Sequence, residues 1–366
     1  MLSRPLTQEL WNPPDYVLAV QHAIRTVESA GHTSFLEICR RSQGAFPTLV
    51  ARFANAPIAD SHSYYDPRTP YPSPARGEWY FTRSTSQMLA SHLGVSPLLV
   101  GTPSVAELLV NATLIDSSPW VRERFVLHGS ILLINQPVEE TDDVPSSDSA
   151  IIDPPWYGGA IEDWLTRASH AVKPGGTILV PLMGELTRPE GRADRAAVRT
   201  AMERIGTFEI VERAVEYSTP RFEECAMAAA GITLGGPWRI ADLAIVKNDR
   251  PSPRSEIDRR PGEWTDHRMG DDIISVRSSD EMDTTLPNPG GEIKGLVTLD
   301  SVSRRHPLLQ EANLWSSRNR IARVDDVNAA RRALALNPRH ARTDTKSLDL
   351  DYGIRLRAAL LGEVEC

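Results

Sequence analysis

The chain has 366 residues, of which 41% are hydrophobic and 24% charged, a composition typical of a soluble globular protein. This length predicts two or three domains. The formal net charge of −8 argues against a surface that is basic throughout, as nucleic-acid binding by the whole protein would require, and leaves a local basic patch open. No apolar run is long enough to span a membrane and no secretory signal is visible, so we expect a cytoplasmic protein.

The sequence lacks the usual metal-binding patterns. Its three cysteines, Cys39, Cys225 and Cys366, are odd in number and far apart, which suits a reducing compartment. The chain has no His-Glu-x-x-His and no Cys-x-x-Cys, so we predict no structural zinc. It also lacks a Gly-x-Ser-x-Gly elbow and a phosphate loop, which argues against hydrolases and nucleoside triphosphatases.

Residues 1–56 are predicted to form a helical domain. The pattern indicates one helix through Val17 and Val27, a second over Phe35–Arg41 and a third that begins at Pro47. Three short helices with a tight break before the last resemble a winged-helix module, which would bind nucleic acid. A helical cap packed on the main domain and a dimerisation element are the alternatives.

Residues 57–78 are predicted to be a linker, and residues 79–247 an α/β domain. Seven short apolar segments alternate with helical ones, which predicts a mostly parallel sheet. The last two strands have no obvious helix between them and could pair antiparallel. Lys173–Gly176 is expected to form a turn before the fifth strand. The predicted strands cover residues 98–100, 112–115, 130–134, 150–152, 177–181, 208–214 and 240–246.

The last third of the chain is predicted to be less regular. Residues 248–292 are rich in Pro, Ser, Asp and Arg, which indicates a long exposed linker without stable structure. Residues 293–366 are predicted to form a helical extension, with amphipathic helices at 322–337 and 352–361. One further strand is predicted at 295–299.

The most informative stretch runs from Ala150 to Trp156. Its apolar part predicts a buried strand, and the two prolines must lie just past the end of that strand because they cannot continue its ladder. Asp153 and Trp156 are therefore presented at the carboxyl end of a strand, where open α/β sheets bind ligands. A planar amine would find a carboxylate, a carbonyl acceptor and a stacking ring there. The alternative is an ordinary strand end followed by a buried tryptophan.

Asp153-Pro154-Pro155-Trp156 resembles motif IV of the amino-group methyltransferases. The resemblance covers four residues and implies that they form the catalytic set. In this reading Asp153 and the carbonyl group of Pro154 hold the amino nitrogen, and Trp156 stacks on the acceptor.

Seven strands in this order resemble the Rossmann-like fold of class I methyltransferases, which bind S-adenosylmethionine. The resemblance implies a cofactor turn after the first strand, formed here by Gly101, Thr102 and Ser104, and an acid for the ribose hydroxyls at Asp116. The turn has one glycine where the family has two or three, and Pro103 removes a backbone donor. A plain turn acid is the alternative for Asp116.

These resemblances imply an S-adenosylmethionine-dependent N-methyltransferase acting on an exocyclic amine, with adenine in nucleic acid as one such acceptor. One alternative is a catalytically inactive methyltransferase-like module that binds nucleic acid or a protein partner. Another is aminopropyl transfer to polyamines. The order of a helical head, a linker with Thr82 and Thr85, and a domain with Asp-Pro-Pro resembles that of the branched-chain polyamine synthases.

Two further segments are candidates for binding. Tyr217–Glu223 follows the sixth strand and could form a lid over the site, with Trp238 and Arg239 beside it, or could be an ordinary hairpin connection. Arg304–Arg320 is basic and contains Trp315, so it could bind phosphates and stack on bases, or could be a solvated helix face. The expected partners are nucleic acid, through this segment or the N-terminal helices, or a protein, which includes a second copy of the chain. No membrane partner is expected.

Overall fold

The computed structural model describes residues 12–58, 72–125, 129–141, 143–156, 159–251, 264–277, 292–304, 306–336 and 347–362. Parts of both predicted linkers, Arg305 and Cys366 lie outside the described residues.

The main domain is built on a seven-stranded sheet with the order β3-β2-β1-β4-β5-β7-β6. Strands β1 to β5 run parallel, and β7 pairs antiparallel with both β5 and β6. The seven predicted strands and the antiparallel last pair are therefore confirmed. The strands are β1 Leu98–Val100, β2 Ala112–Ile115, β3 Ile131–Ile134, β4 Ser147–Ile152, β5 Val172–Leu182, β6 Phe208–Glu216 and β7 Ile240–Lys247.

Helices cover both faces of this sheet, as its buried apolar strands require. One face packs against α7 and α8 and the other against α4, α5 and α6. The sequence missed α9, which lies between the last two strands. The helices are α4 Arg83–Ser91, α5 Pro103–Ala106, α6 Pro119–Phe125, α7 Ala160–Ala171, α8 Gly191–Ile205 and α9 Arg221–Ala229.

The turn predicted at Lys173–Gly176 lies inside β5 instead. The register against β4 shifts there, with Val172 opposite Ser147 and Thr177 opposite Ser149. Gly175 has a φ of +82°, a conformation that glycine adopts without strain, and this accommodates the irregularity.

The N-terminal helices α1 Pro14–Ser29, α2 Phe35–Arg41 and α3 Pro47–Val50 pack against the main domain. The Tyr16 hydroxyl group donates a hydrogen bond to the Leu186 carbonyl over 2.8 Å. Ile24 and Leu49 share a core with Met227 and Trp238. No strand occurs within residues 12–58, so the described part of this region has no wing, and its packing is that of the predicted alternative, a helical cap.

The C-terminal region is an antiparallel sheet with the order β10-β12-β11-β9-β8, and helices pack on it. Strands β8 and β9 form a hairpin within the predicted linker at 248–292, so that prediction is wrong for these residues. The strand predicted at 295–299 is present as β10, and the extension contains two further strands, β11 and β12, that were not predicted. The elements are β8 Trp264–Met269, β9 Asp272–Arg277, β10 Lys294–Thr298, α10 Pro307–Glu311, β11 Leu314–Ser316, β12 Arg320–Arg323, α11 Val327–Ala335 and α12 Ser347–Leu361.

None of the helices within the described ranges has the length and apolar character needed to cross a membrane. Within the same ranges, no three His, Cys, Asp or Glu side chains are grouped so that they could hold a metal ion.

Candidate functional site

The predicted site residues follow three neighbouring parallel strands. Val100 pairs with Ile115 on one side and with Ile152 on the other. Gly101, Asp116 and Asp153 are the next residues on β1, β2 and β4, and strands lie about 4.8 Å apart. The strand order reverses between β1 and β4, and open α/β sheets bind ligands at such a switch point. The structure therefore brings the predicted catalytic and cofactor residues to one edge of the sheet.

Asp153 is held by a tyrosine from a distant segment. The Tyr217 hydroxyl group donates a hydrogen bond of 2.8 Å to its Oδ1 atom. Burial raises the pKa of Asp153 to about 7, although the hydrogen bond from Tyr217 favours the ionised form. Burial and the neighbouring carboxylate raise the pKa of Tyr217 well above its usual value, so the phenol keeps its proton. Asp153 can therefore bind or release a proton near neutral pH.

The other motif residues lie beside Asp153. Pro154 is buried and Pro155 half-buried. The Pro154 carbonyl accepts no hydrogen bond from the residues that the structure describes, so it remains available to a ligand. This is the acceptor that the motif resemblance implies.

Trp156 belongs to an aromatic cluster and is half-buried. Its ring is nearly parallel to that of Trp79, with centroids 6.4 Å apart and an angle of 6°. Its edge-to-face contact with Tyr217 has a centroid distance of 5.3 Å. One side of the predicted stacking ring is therefore already covered by Trp79. Trp79 was not among the residues predicted for the site, although three consecutive aromatic residues, Trp79–Phe81, could have indicated an aromatic surface there.

A buried ion pair fixes this cluster. Glu223 accepts hydrogen bonds from the Trp79 indole over 3.0 Å and from the Trp238 indole over 3.1 Å, and it pairs with Arg239. The guanidinium carbon of Arg239 lies 4.9 Å from the ring centroid of Trp79 and 5.6 Å from that of Trp156. Both charged side chains are almost fully buried. The predicted lid is therefore anchored by Glu223 in α9, and the aromatic wall formed by Trp79 and Trp156 is rigidly supported.

The turn after β1 leaves no room for a side chain at Gly101. Its φ is +67°, and an added Cβ atom would lie 2.9 Å from the Trp164 ring and 3.2 Å from the Asp153 carbonyl oxygen. Helix α5, which follows this turn, has only four residues. Within the described part of the chain, the buried hydroxyl oxygens of Thr102 and Ser104 have no hydrogen-bond partner. These atoms are suited to a polar ligand at the end of β1.

Asp116 ends β2, as predicted. Its Oδ1 atom accepts a hydrogen bond from the Ser118 backbone over 2.7 Å, whereas Oδ2 has no partner among the described residues. Burial raises its pKa to about 6, opposed by the Ser118 hydrogen bond and by the charge of Arg76. One oxygen therefore serves the turn, and the other is free for a ligand.

Residues 72–82, which we call the strap, cross this edge of the sheet. Arg76 pairs with Asp266 of β8 over 2.5 Å and donates to the Ser117 hydroxyl over 3.0 Å. Burial and the charge of Asp266 raise the pKa of Glu78 to about 8. The first part of the strap falls in the predicted linker, so sequence reasoning missed these contacts.

The Arg304–Arg320 segment is engaged within its own domain. Trp315 is fully buried and donates a hydrogen bond of 2.9 Å to Asn319. Arg318 pairs with Asp272 over 3.0 Å, and Arg320 donates to the Ala359 carbonyl over 2.7 Å. Nucleic-acid binding through this segment remains a prediction, without Trp315 as an exposed ring for base stacking.

Fold and site together define an α/β protein with a Rossmann-like sheet and a polar, aromatic site at its switch point. The chain matches no family profile, and no curated protein matches its sequence. Solved structures similar to it include the branched-chain polyamine synthase of Thermus thermophilus, with 15% identity, a TM-score of 0.46 and coverage of 66% of this chain and 90% of that one.

Two further solved structures are similar to just under half of the chain. The N-methyltransferase NodS of Bradyrhizobium japonicum, in complex with S-adenosyl-L-homocysteine, has 14% identity and a TM-score of 0.33, with 46% of this chain and 86% of that one covered. The spermidine synthase of Thermotoga maritima has 10% identity and a TM-score of 0.30, with 46% and 58% covered.

Proposed function

We propose that the protein is an S-adenosylmethionine-dependent methyltransferase that acts on an amino nitrogen. The observation that supports this most is the position of Asp153, next to the Pro154 carbonyl and an aromatic wall, at the same sheet edge as Gly101 and Asp116. An amine that accepts the methyl group and a cofactor that donates it could meet at that edge. Adenine in nucleic acid is one acceptor with a suitable exocyclic nitrogen.

The residues at the ends of β1 and β2 fit the cofactor. Among the described residues, the buried hydroxyl groups of Thr102 and Ser104 have no hydrogen-bond partner, and one carboxylate oxygen of Asp116 has none, so it could accept from ribose hydroxyls. Gly101 lies in the turn beside them, where the Trp164 ring and the Asp153 carbonyl oxygen leave no room for a side chain. When bound, S-adenosylmethionine supplies an electrophilic methyl group.

The chain's own residues orient the amine and manage its proton. Asp153 and the Pro154 carbonyl would each accept a hydrogen bond from the amino group and so direct its lone pair. With a pKa of about 7, Asp153 can also take up the proton that the nitrogen releases. Trp156 and Trp79 would limit the positions that the acceptor can occupy. Rate acceleration would come mainly from this alignment.

Calorimetric titration with S-adenosylmethionine, followed by a methyl-transfer assay, tests the proposal. Asp153→Ala should retain cofactor binding and reduce methyl transfer by about 10²-fold or more. Asp148→Asn is a matched control, because Asp148 lies on the same strand at its opposite end, where it accepts hydrogen bonds from Val95 and Ser96. Absence of binding heat and of a thermal shift at millimolar cofactor would reject the proposal and favour a non-catalytic module.

Aminopropyl transfer to a polyamine is the second candidate, and the raised pKa of the Asp153 carboxyl group favours it. An alkylamine is an ammonium ion at neutral pH and must lose a proton before it can attack, unlike an exocyclic nitrogen of a base. The Asp153 carboxyl group, with a pKa of about 7, suits that proton removal. The two reactions are separated by supplying either S-adenosylmethionine or its decarboxylated form with a polyamine acceptor and identifying the product by mass spectrometry.

A further inference from the structure

We propose that the C-terminal sheet positions the aromatic wall of the site through the strap, with Asp266 as the positioning residue. This inference rests on the proposed function for its kinetic consequence, but its structural consequence can be measured without activity. It assigns a role to a domain that contributes no residue to the predicted motifs.

The first part of the strap belongs physically to the C-terminal domain. Ala75 is buried in the same core as Leu309, Trp315 and Ile321. Its carbonyl group accepts a hydrogen bond from Arg304. This stretch of chain therefore cannot shift without disturbing the C-terminal core.

Asp266 is the polar anchor of that contact. Its side chain is only 4% exposed and accepts hydrogen bonds from Arg76 over 2.5 Å, from Ser275 over 2.6 Å and from Ser73 over 3.1 Å. Two of these donors, Arg76 and Ser73, are strap residues. Removal of the charge would leave the Arg76 guanidinium group without its acid, which weakens the attachment of the strap to β8.

A tight turn at residues 74–77 connects the anchored part of the strap to Trp79 at the site. The Gly77 amide donates to the Pro74 carbonyl over 3.2 Å, and Gly77 has a φ of +66°. A Cβ atom there would lie 3.1 Å from the Trp79 ring, so that ring packs closely over the turn. Arg76 also contacts Ser117, next to Asp116. The same arginine therefore links β8 to the end of β2.

The second part of the strap lies along the site. Trp79 stacks on Trp156, and the Phe81 ring contacts Tyr217 with centroids 4.9 Å apart. The Thr82 amide donates to Glu216 over 3.0 Å, and the Ser218 amide donates to Tyr80 over 2.8 Å. A continuous path of contacts thus joins Asp266 to the partner of Asp153.

Asp266→Asn, assayed in the full chain, is the kinetic test. We expect the KM for the amine acceptor to rise about tenfold, because a small displacement of the aromatic wall misplaces the acceptor, with kcat changed much less. Asp266→Glu should restore part of the loss by restoring the charge. Arg268→Gln is the matched control, since Arg268 also lies on β8 and its ion pair joins the same two domains through Glu123 of α6, outside the strap. Equal KM values for Asp266→Asn and the wild type would overturn the proposal.

Hydrogen exchange gives a readout that does not need catalysis. In Asp266→Asn the amides of Thr82 and Ser218 should exchange faster than in the wild type, and in Arg268→Gln they should not. Ser275→Ala, which removes one donor and keeps the ion pair, should give a smaller change and serves if Asp266→Asn does not fold. Equal exchange in all variants would refute the positioning role, whereas a wild type without transferase activity would refute only the proposed function.

Discussion

One hydrogen bond adjusts the proton affinity of Asp153. The Tyr217 hydroxyl group stabilises the carboxylate, so Tyr217→Phe should raise the pKa of Asp153 further above about 7. If the ionised form is active, the acid limb of the pH profile of kcat/KM should move to higher pH. Measurement between about pH 5.5 and 9 would show the shift.

Tyr16→Phe is the control for that experiment. Tyr16 also donates through a buried hydroxyl group, but to the Leu186 carbonyl, outside the site. Its profile should match that of the wild type. A Tyr217→Phe profile with an unchanged acid limb would mean that Asp153 is not the group that titrates during turnover.

Gly101 is a position where any side chain should be costly. Gly101→Ala combines a left-handed backbone with a Cβ atom 2.9 Å from the Trp164 ring, and should lower the free energy of unfolding by about 2–4 kcal/mol. Gly175→Ala has a similar φ of +82° with nothing within 4 Å, so its cost should be only about 1–2 kcal/mol. Urea unfolding of both variants measures the difference. Equal decreases in the free energy of unfolding would show that the Trp164 side chain can move to make room for the methyl group.

The positions of the predicted site residues could be inferred from the sequence, but the residues that hydrogen-bond to them could not. Asp116 and Asp153 end strands whose apolar pattern is local, so short-range rules placed them at one sheet edge. The hydrogen bond from Tyr217 to Asp153 joins residues 64 positions apart, and that from Trp79 to Glu223 joins residues 144 positions apart. No periodicity encodes such pairs, since they depend on how the finished fold brings distant segments together.

Helix α1 illustrates stability at the scale of a single element. Ile24 is fully buried against the main domain, whereas Leu18 on the same helix is 61% exposed. Ile24→Ala should lower the free energy of unfolding by about 2–5 kcal/mol, and Leu18→Ala by about 0.5 kcal/mol or less. Chemical denaturation of the two variants tests whether the cap is integral to the fold. Similar small losses for both would mean that α1 contributes little.

Sequence reasoning missed strand β8 because most of its side chains are polar and only partly buried. Strand β8 reads Trp-Thr-Asp-His-Arg-Met and is the edge of its sheet, so its side chains are mostly half-buried and polar. Such a strand has no apolar alternation to detect. Its partner β9 carries the buried Ile274 and Val276, but it lies within a region rich in Pro, Ser, Asp and Arg, and that composition determined the prediction for residues 248–292. Strands β1 and β2 of the main sheet, by contrast, were predictable because all of their residues are buried and all but Thr113 are apolar.

At the scale of the whole molecule, buried acids make stability depend on pH. The pKa of Glu78 is about 8 in the folded protein and near 4.5 in the unfolded chain. Between these values the folded state holds a proton that the unfolded state has released, so the free energy of unfolding should fall as pH rises through this window. Asp153, with a pKa of about 7, and Asp116, with a pKa of about 6, act in the same direction.

Glu78→Gln tests this dependence, because it removes one titration without changing the shape of the side chain. The variant should gain stability relative to the wild type as the pH is raised from about 5 to 8. Unfolding by urea at several pH values provides the measurement. A constant difference between the two proteins across this range would show that Glu78 ionises normally in the folded state.

The insertion of Ala75 into the core of residues 299–321 has a consequence for the order of synthesis. On the ribosome, the seventh strand of the main sheet is complete at Lys247, well before that core emerges. The strap residue Ser73 can therefore form its hydrogen bonds with Asp266 and Ser275 only after those residues have been made, some 200 residues later. A nascent chain released at Lys247 would thus contain Asp153, Trp79, Trp156 and Glu223 but would lack Asp266, and with it the attachment of the strap to β8.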